Sequence, residues 1–584
     1  MKKTIRILSL LLSLCLIFGG CASEVKEETT KAPQESKKKA TKVEKDFKLR
    51  DKEDLYNMFD PTEVVTMYLT VSRGNEGENT DHSWNEINTY SVFDYEDMGV
   101  DRYKVEGLLQ VGDENGPKSG QVGYNQISPN CTVQIRGQSS SRNPQKNYKI
   151  RLKDNKGLWR GQQTIALNKH QSDGLRFRNK LSYDLIAGVD QLMGLRTSFV
   201  HLYVKDTTSG KTGFEDYGLY TQVEQLNKTA LKAHGLDKNG HLYKVNLFEF
   251  YRYEDVIKKK EDPTYNQEAF EERIEIKGSD DHTKLIKMLE ELNDYSIPAE
   301  EIIEKHFDIE NISYWMAYHI LMGNIDTQSR NFYIYSPLHS DKWYILTWDN
   351  DGSLMHKEHE IINRNDYGGW ESGISNYWGN VLFQRCLKSE KFRKQLDSAV
   401  KDIKSYLTKE RMTEMVQTYA SVVKPYVYSM PDIMYTHLNQ SQYNTVAKAI
   451  TEEIDDNYRR YKESLKKPMP FYIATPRINN GKLLFEWESS FDFNYEEITY
   501  SFELARDVNF RNVILKEENL SIAATETEKL PRGQYFIRVI SKNESGLSQY
   551  AFDYYVTETG KHYGVKCFYV DNKGKIVEDV YVEN

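Results

Sequence analysis

The chain has 584 residues, 39% of them hydrophobic and 28% charged, with 78 basic side chains against 87 acidic ones. At ~150 residues per domain this length accommodates about two to four domains with sizeable cores. The composition excludes a polytopic membrane protein, a collagen-like chain and a wholly disordered one, and a net charge of −9 argues against a dedicated nucleic-acid binder.

The first element in chain order is an address. Lys2, Lys3 and Arg6 precede an apolar stretch from Ile7 to Phe18, followed by Gly19-Gly20-Cys21-Ala22-Ser23. A basic start, a short apolar run and small residues at the cleavage point make a secretory signal over 1–20. The run is shorter than the ~20 apolar residues of a membrane span. Cys21 after two glycines resembles the lipobox of bacterial lipoproteins, with Phe18 where Leu is usual, and implies lipidation of Cys21 and a bilayer anchor. Residues 21–50 are rich in Lys and acidic side chains and read as a disordered tether. Cys131, Cys386 and Cys567 are widely spaced, match neither a disulfide framework nor a zinc site, and are expected to be buried and free.

Residues 51–467 mix strands and helices. Strands are predicted at 63–71, 131–136, 147–152, 199–204 and 218–223, and helices at 179–187, 282–293, 309–322, 388–406, 409–424 and 440–465. Strands first and helices later predict an α+β body with a β-rich N-terminal lobe and a helical C-terminal lobe. Pro468 and Pro470 mark a boundary; alternation at Leu483, Phe485 and Trp487, then Tyr535, Ile537 and Val539, predicts an all-β sandwich over 468–557. With Trp487 on an early strand and Gly533 and Gly546 later, it resembles a fibronectin type III domain. A hairpin tail is expected over 558–584.

The chemistry concentrates between Ile309 and Gly352. Ile312, Trp315, Met316, His319 and Ile320 share one face of a helix stopped by Gly323, which reads His319 as a core residue. Asp326 and Asn331 then precede a strand, a turn at Pro337 and a second strand ending at Trp348, followed by Asp349-Asn350-Asp351-Gly352. A hairpin brings the start of its first strand beside the end of its second. Asp326, Asn331, Asp349 and Asp351 therefore gather at one mouth, where hard oxygen ligands suit Mg²⁺ or Mn²⁺ completed by phosphate oxygens. An Asp, an Asn five positions on, a hairpin, and an Asp closely followed by Gly is the layout of protein kinases. In that layout Asp326 orients the substrate hydroxyl, while Asn331 and Asp349 hold metal. An Asp-x-Asp beside an aromatic strand is also found in metal-dependent glycosyltransferases.

Arg136-Gly-Gln-Ser139-Ser140, Lys146-Asn-Tyr148, Leu167-Asn-Lys-His-Gln-Ser-Asp173 with Arg178-Asn179-Lys, Gly218-Leu-Tyr220-Thr-Gln-Val-Glu224, Asn324-x-Asp326-x₄-Asn331 and Trp348-Asp349-x-Asp351 follow one another in order. Together they resemble the spore-coat protein H (CotH) kinase-like family over roughly 60–465. The resemblance implies an atypical, two-lobed, kinase-like fold and a secreted Ser/Thr kinase using ATP and divalent metal. Its general-base and metal aspartates fall on Asp326 and Asp349. Some relatives serve spore-coat assembly and others sit on cell surfaces.

No Gly-x-Gly-x-x-Gly loop and no Walker A motif is present, so triphosphate contacts fall to side chains and to the 137–141 turn. Arg136 and Ser139 are candidates there. Lys146 is the phosphate-pairing candidate by its place in the family motif. Asp173 caps the helix that follows or belongs to the site. Glu224 pairs with Lys146 or meets the nucleobase, and Trp348 lines the nucleotide pocket.

The expected protein is a membrane-tethered, extracytoplasmic kinase phosphorylating secreted, coat or surface proteins rich in Ser, its sandwich positioning or recruiting substrate. A non-catalytic adhesion or assembly module on the same scaffold, and a glycosyltransferase using Asp349-x-Asp351, are the competing readings.

Overall fold

The computed structural model describes residues 49, 53–56, 60–364, 370–558 and 560–578. The leader, Cys21 and all of the tether except Leu49 lie outside them.

Among the described residues, seven strands close into a ring. Val64–Ser72 pairs in parallel with Thr197–Asp206 and antiparallel with Val105–Asp113. The ladder between those two neighbours runs through Glu215–Glu224, Thr164–Asn168, Asn147–Leu152 and Cys131–Arg136. Alternation writes the inside of the ring: along Cys131–Arg136 every second residue is buried, and Met67, Leu69, Val133, Ile135, Ile150 and Ile165 are fully enclosed. Local patterning predicts five of these strands and misses Val105–Asp113 and Thr164–Asn168. It does not predict the closure, which depends on pairing distant segments.

Helices dominate from Thr283 to Ser464, as the 3.6-residue periodicity predicts. Ile309–Leu321 packs on Glu390–Tyr406 and Gln440–Ser464. Two helices stand here: the short Val381–Lys388, which the sequence reading does not include, and Glu390–Tyr406, which it places at 388–406. Ser389 separates them and caps the second, its hydroxyl accepting the Phe392 N–H at 3.1 Å. Between strand-rich and helical parts lies a four-stranded sheet containing the expected hairpin. Phe332–Ser336 and Tyr344–Thr347 are antiparallel, with Phe332 opposite Thr347 and Tyr335 opposite Tyr344, and His241–Val245 flanks the first of them.

Beyond Pro470, a three-stranded and a six-stranded sheet share a core. Phe485 lies 4.9 Å from Phe502 across them, and Tyr535 donates to the Pro531 carbonyl at 2.6 Å. The tail does more than append a hairpin: Val565–Val570 pairs along Gly533–Asn543 inside the larger sheet. Cys131, Cys386 and Cys567 are all buried, and among the described residues none of them is joined in a disulfide. Among the described residues no helix is long and apolar enough to cross a membrane.

Candidate active site

Two segments meet at the hairpin mouth. The first leaves the Ile309–Leu321 helix through Gly323, whose φ of 58° is left-handed. A Cβ at Gly323 would stand 2.6 Å from Asn457 Nδ2, so only glycine fits. Asn324 Oδ1 then accepts the Asp326 N–H at 3.3 Å, and the Thr327 hydroxyl donates to the Asn324 carbonyl at 3.0 Å. The Asp326 carboxylate is 54% exposed; it accepts from Asn331 Nδ2 at 2.8 Å and faces Arg330 Nε at 3.4 Å. The predicted Asp326–Asn331 juxtaposition is thus a hydrogen bond. Arg330 is a neighbour that the spacing argument missed.

The second segment follows the hairpin. Asp349 has a φ of 54°, uncommon for a side chain with a Cβ, and its loop is pinned by the Arg178–Ile186 helix. The Asp349 N–H donates to the Tyr183 hydroxyl oxygen at 3.1 Å, and the Asn350 N–H to Asn179 Oδ1 at 3.1 Å. Asn179 Nδ2 donates to His170 Nε2 at 3.1 Å. The ring's proton is then on Nδ1, which stands 3.3 Å from Asp351 Oδ2 and donates to it. Burial and the neighbouring Asp351 push the Asp349 carboxyl up to about 7, with Asp326 adding to the push and His170 and Arg136 opposing it. Burial is the largest influence on Asp351 and works against its ionisation, but His170 and the backbone N–H groups of Asp351 and Gly352 together hold that carboxyl below its ordinary value. The Asp349 carboxyl therefore feels the charges of both Asp351 and Asp326.

A cleft opens beside them, with about 540 Å³ of atom-free space counting its mouth. Arg136, Trp348, Asp349 and Asp351 line it together. Arg136 hydrogen-bonds Asn168 Oδ1 and lies 5.8 Å from the Trp348 ring centroid. Burial draws the Arg136 guanidinium down, and Asp349 counters it. Ser140, Asn147, Asn168, His170 and Asn179 also line the cleft. Their signal is in the sequence: each lies in or beside a block that carries the family resemblance, although none is a charged group that draws attention by itself.

Other candidates lie elsewhere. Ser139 is exposed on a 3₁₀ turn, and its neighbour Ser140 faces the cleft. Lys146 Nζ turns under that turn to the Ser141 carbonyl at 2.6 Å. Glu224 does not pair with Lys146: it is 1% exposed, hydrogen-bonds Arg196, and meets His234 Nε2 at 2.9 Å. Asp173 both caps and pairs, accepting the Arg178 N–H at 3.0 Å while Arg178 Nη1 sits 2.5 Å from Asp173 Oδ1 and 2.6 Å from Glu358 Oε2. This buried network lies behind the cleft. His319 is buried in the core, as its place on the apolar stripe predicts.

Among the described residues no three His, Cys, Asp or Glu side chains converge as a ready-made metal cage. Mg²⁺ seldom uses one: one or two carboxylates plus substrate phosphates suffice. The Asp349–Asp351 pair fits that pattern, because burial and mutual repulsion leave Asp349 reluctant to ionise until a positive charge arrives.

The model of the family described as CotH kinase protein matches residues 133–461. Over 323 residues, 54% of this chain and 83% of the relative, the sequence is 23% identical to the inner spore coat protein H of Bacillus subtilis (strain 168). With that match spanning more than half of the chain and six ordered sequence blocks inside it, the chain belongs to the CotH kinase protein family.

Proposed function

We propose that this chain is an atypical Ser/Thr protein kinase, its strand-rich and helical parts acting as two lobes about the cleft. The observation that supports it most is the cleft that Arg136, Trp348, Asp349 and Asp351 line together, with Asp326 near enough for its charge to be felt at Asp349. Asp326, half exposed and oriented by Asn331, accepts the proton of an incoming hydroxyl as its oxygen attacks the γ-phosphorus of ATP and ADP departs. Asp349 and Asp351, with Asn331, would hold Mg²⁺ or Mn²⁺, which when bound offsets the charge of the transferring phosphoryl group. Arg136 faces the phosphates and Trp348 the nucleobase. Ser139, Lys146 and Glu224 are left out of the proposed contacts, because the first is exposed on its turn and the other two are engaged elsewhere.

The relative's name as an inner spore coat protein supports an extracytoplasmic, coat setting; coat or surface proteins rich in Ser are the substrates proposed with it. Lipidated Cys21 would hold the protein at the membrane. The test is labelled ATP with Mg²⁺ or Mn²⁺ and mass-spectrometric mapping of the acceptor. Equal incorporation by the wild type and a D326A/D349A variant overturns the mechanism. A calorimetric titration with no ATP binding favours a non-catalytic assembly role.

A further inference from the structure

One short segment touches both the Asp326 loop and the C-terminal β domain. On its inner side, Asn376 Nδ2 donates to the Ile325 carbonyl at 3.1 Å and Asn380 Nδ2 to the Gln328 carbonyl at 2.8 Å. Between them the Tyr377 and Thr327 hydroxyls are 3.0 Å apart. The backbone on both sides of Asp326 is thus held by Asn376 and Asn380, and Tyr377 holds the Thr327 side chain between them. A loop whose carbonyls are satisfied by distant side chains keeps its shape only while those side chains stay in place.

On its outer side, the same segment is gripped by the β domain. The Trp378 ring stacks on Phe491 at 5.4 Å and meets Phe493 edge-on at 5.6 Å. Gln549 Nε2 donates to Ser375 Oγ at 3.3 Å. At Gly379 a Cβ would come within 3.2 Å of the Tyr472 hydroxyl and 3.3 Å of Phe552 Cζ, so the domain lies directly against this backbone.

We infer that the C-terminal β domain is a positioning part of the phosphotransfer site: by clamping residues 375–379 it sets the conformation of the Asp326 loop. This rests on the reading of Asp326 as the group that orients the substrate hydroxyl. It assigns the domain a role beyond substrate recruitment. Phe491, Phe493 and Gln549 become positioning residues that touch neither nucleotide nor substrate.

The test compares the full-length wild type with F491A/F493A, which loosens the grip from the β-domain side. Amide hydrogen exchange without nucleotide is expected to quicken about tenfold in peptides covering 322–331 and to stay unchanged in the 131–152 strands. In the kinase assay kcat falls while the KM for ATP holds, because the nucleotide cleft is built from other segments. Unchanged exchange at 322–331 in a folded variant overturns the inference. If the double variant does not fold, Q549A is read the same way. If the wild type transfers no phosphate, the proposed function fails while the exchange result still decides the coupling.

Discussion

His170 hydrogen-bonds Asp351 through Nδ1 at 3.3 Å, and Asn179 fixes the ring from the other side through Nε2. The consequence is a division of labour between two carboxylates two residues apart. Asp351 is held ionised by a donor, whereas burial and the charge of Asp351 push Asp349 toward its neutral form. His170 is therefore a second tier of the site, controlling the carboxylate that controls its neighbour.

H170A should leave Asp351 without its donor and free to rotate. Losses of outer partners of this kind cost about 10–100-fold in metal affinity or activity, so a Mg²⁺ titration of phosphate incorporation should shift to higher metal. H170N, which keeps a donor at a similar place, should shift less. Equal curves for wild type and H170A would remove His170 from the site.

D326N keeps the shape and the Asn324 contact to the backbone but cannot take a proton. General-base losses run to about 10²–10⁴-fold, so turnover should fall by that order while ATP affinity, measured calorimetrically, stays near wild type. A parallel loss of ATP binding would place Asp326 with the nucleotide instead of the acceptor.

Glu224 carries an acid-sensitivity prediction. Burial raises its carboxyl, but the hydrogen bonds from His234 and Arg196 prevail and hold it down at about 2. A carboxyl depressed on folding contributes stability that is present above its unfolded value of 4.5 and lost as pH falls through about 2. That shift is worth about 3 kcal/mol. Urea melts should show the wild type losing stability across this window. E224Q should start less stable at pH 7, with Arg196 left unpaired, and lose less on acidification.

R178M tests the buried network. It strands Asp173 and Glu358 without their shared cation, and breaking a buried pair from one side costs about 3–5 kcal/mol. The urea midpoint should fall accordingly. Arg459, whose ion pairs are on the surface, should show no measurable change on truncation to Ala.

How much of this was legible beforehand follows from the range of each interaction. Period-two alternation located Cys131–Arg136 and Asn147–Leu152, and helical periodicity located Ile309–Leu321, because each pattern is written within a single segment. The hairpin needed only its neighbouring strands, so Asp326, Asn331, Asp349 and Asp351 were placed at one mouth without any long-range contact. The Lys146–Glu224 pairing did not follow in the same way. Arg196 enters alongside Glu224 from the adjacent strand end, where it donates its own N–H at 3.2 Å, and His234 closes from the next helix.

Patterning along the chain was thus sufficient for the α+β order of elements and for the acidic hairpin mouth, since both arise from side-chain periodicity and turn geometry. Closure of the first strands into a ring, the His170–Asp351 contact and the clamp of the β domain on residues 375–379 were decided only in three dimensions. Each joins segments separated by long stretches of chain, and pairing of that kind is selected by the packing of the whole molecule. The six ordered blocks mark where those distant partners would come from; the tertiary structure determines which of them face the cleft and which brace it from behind.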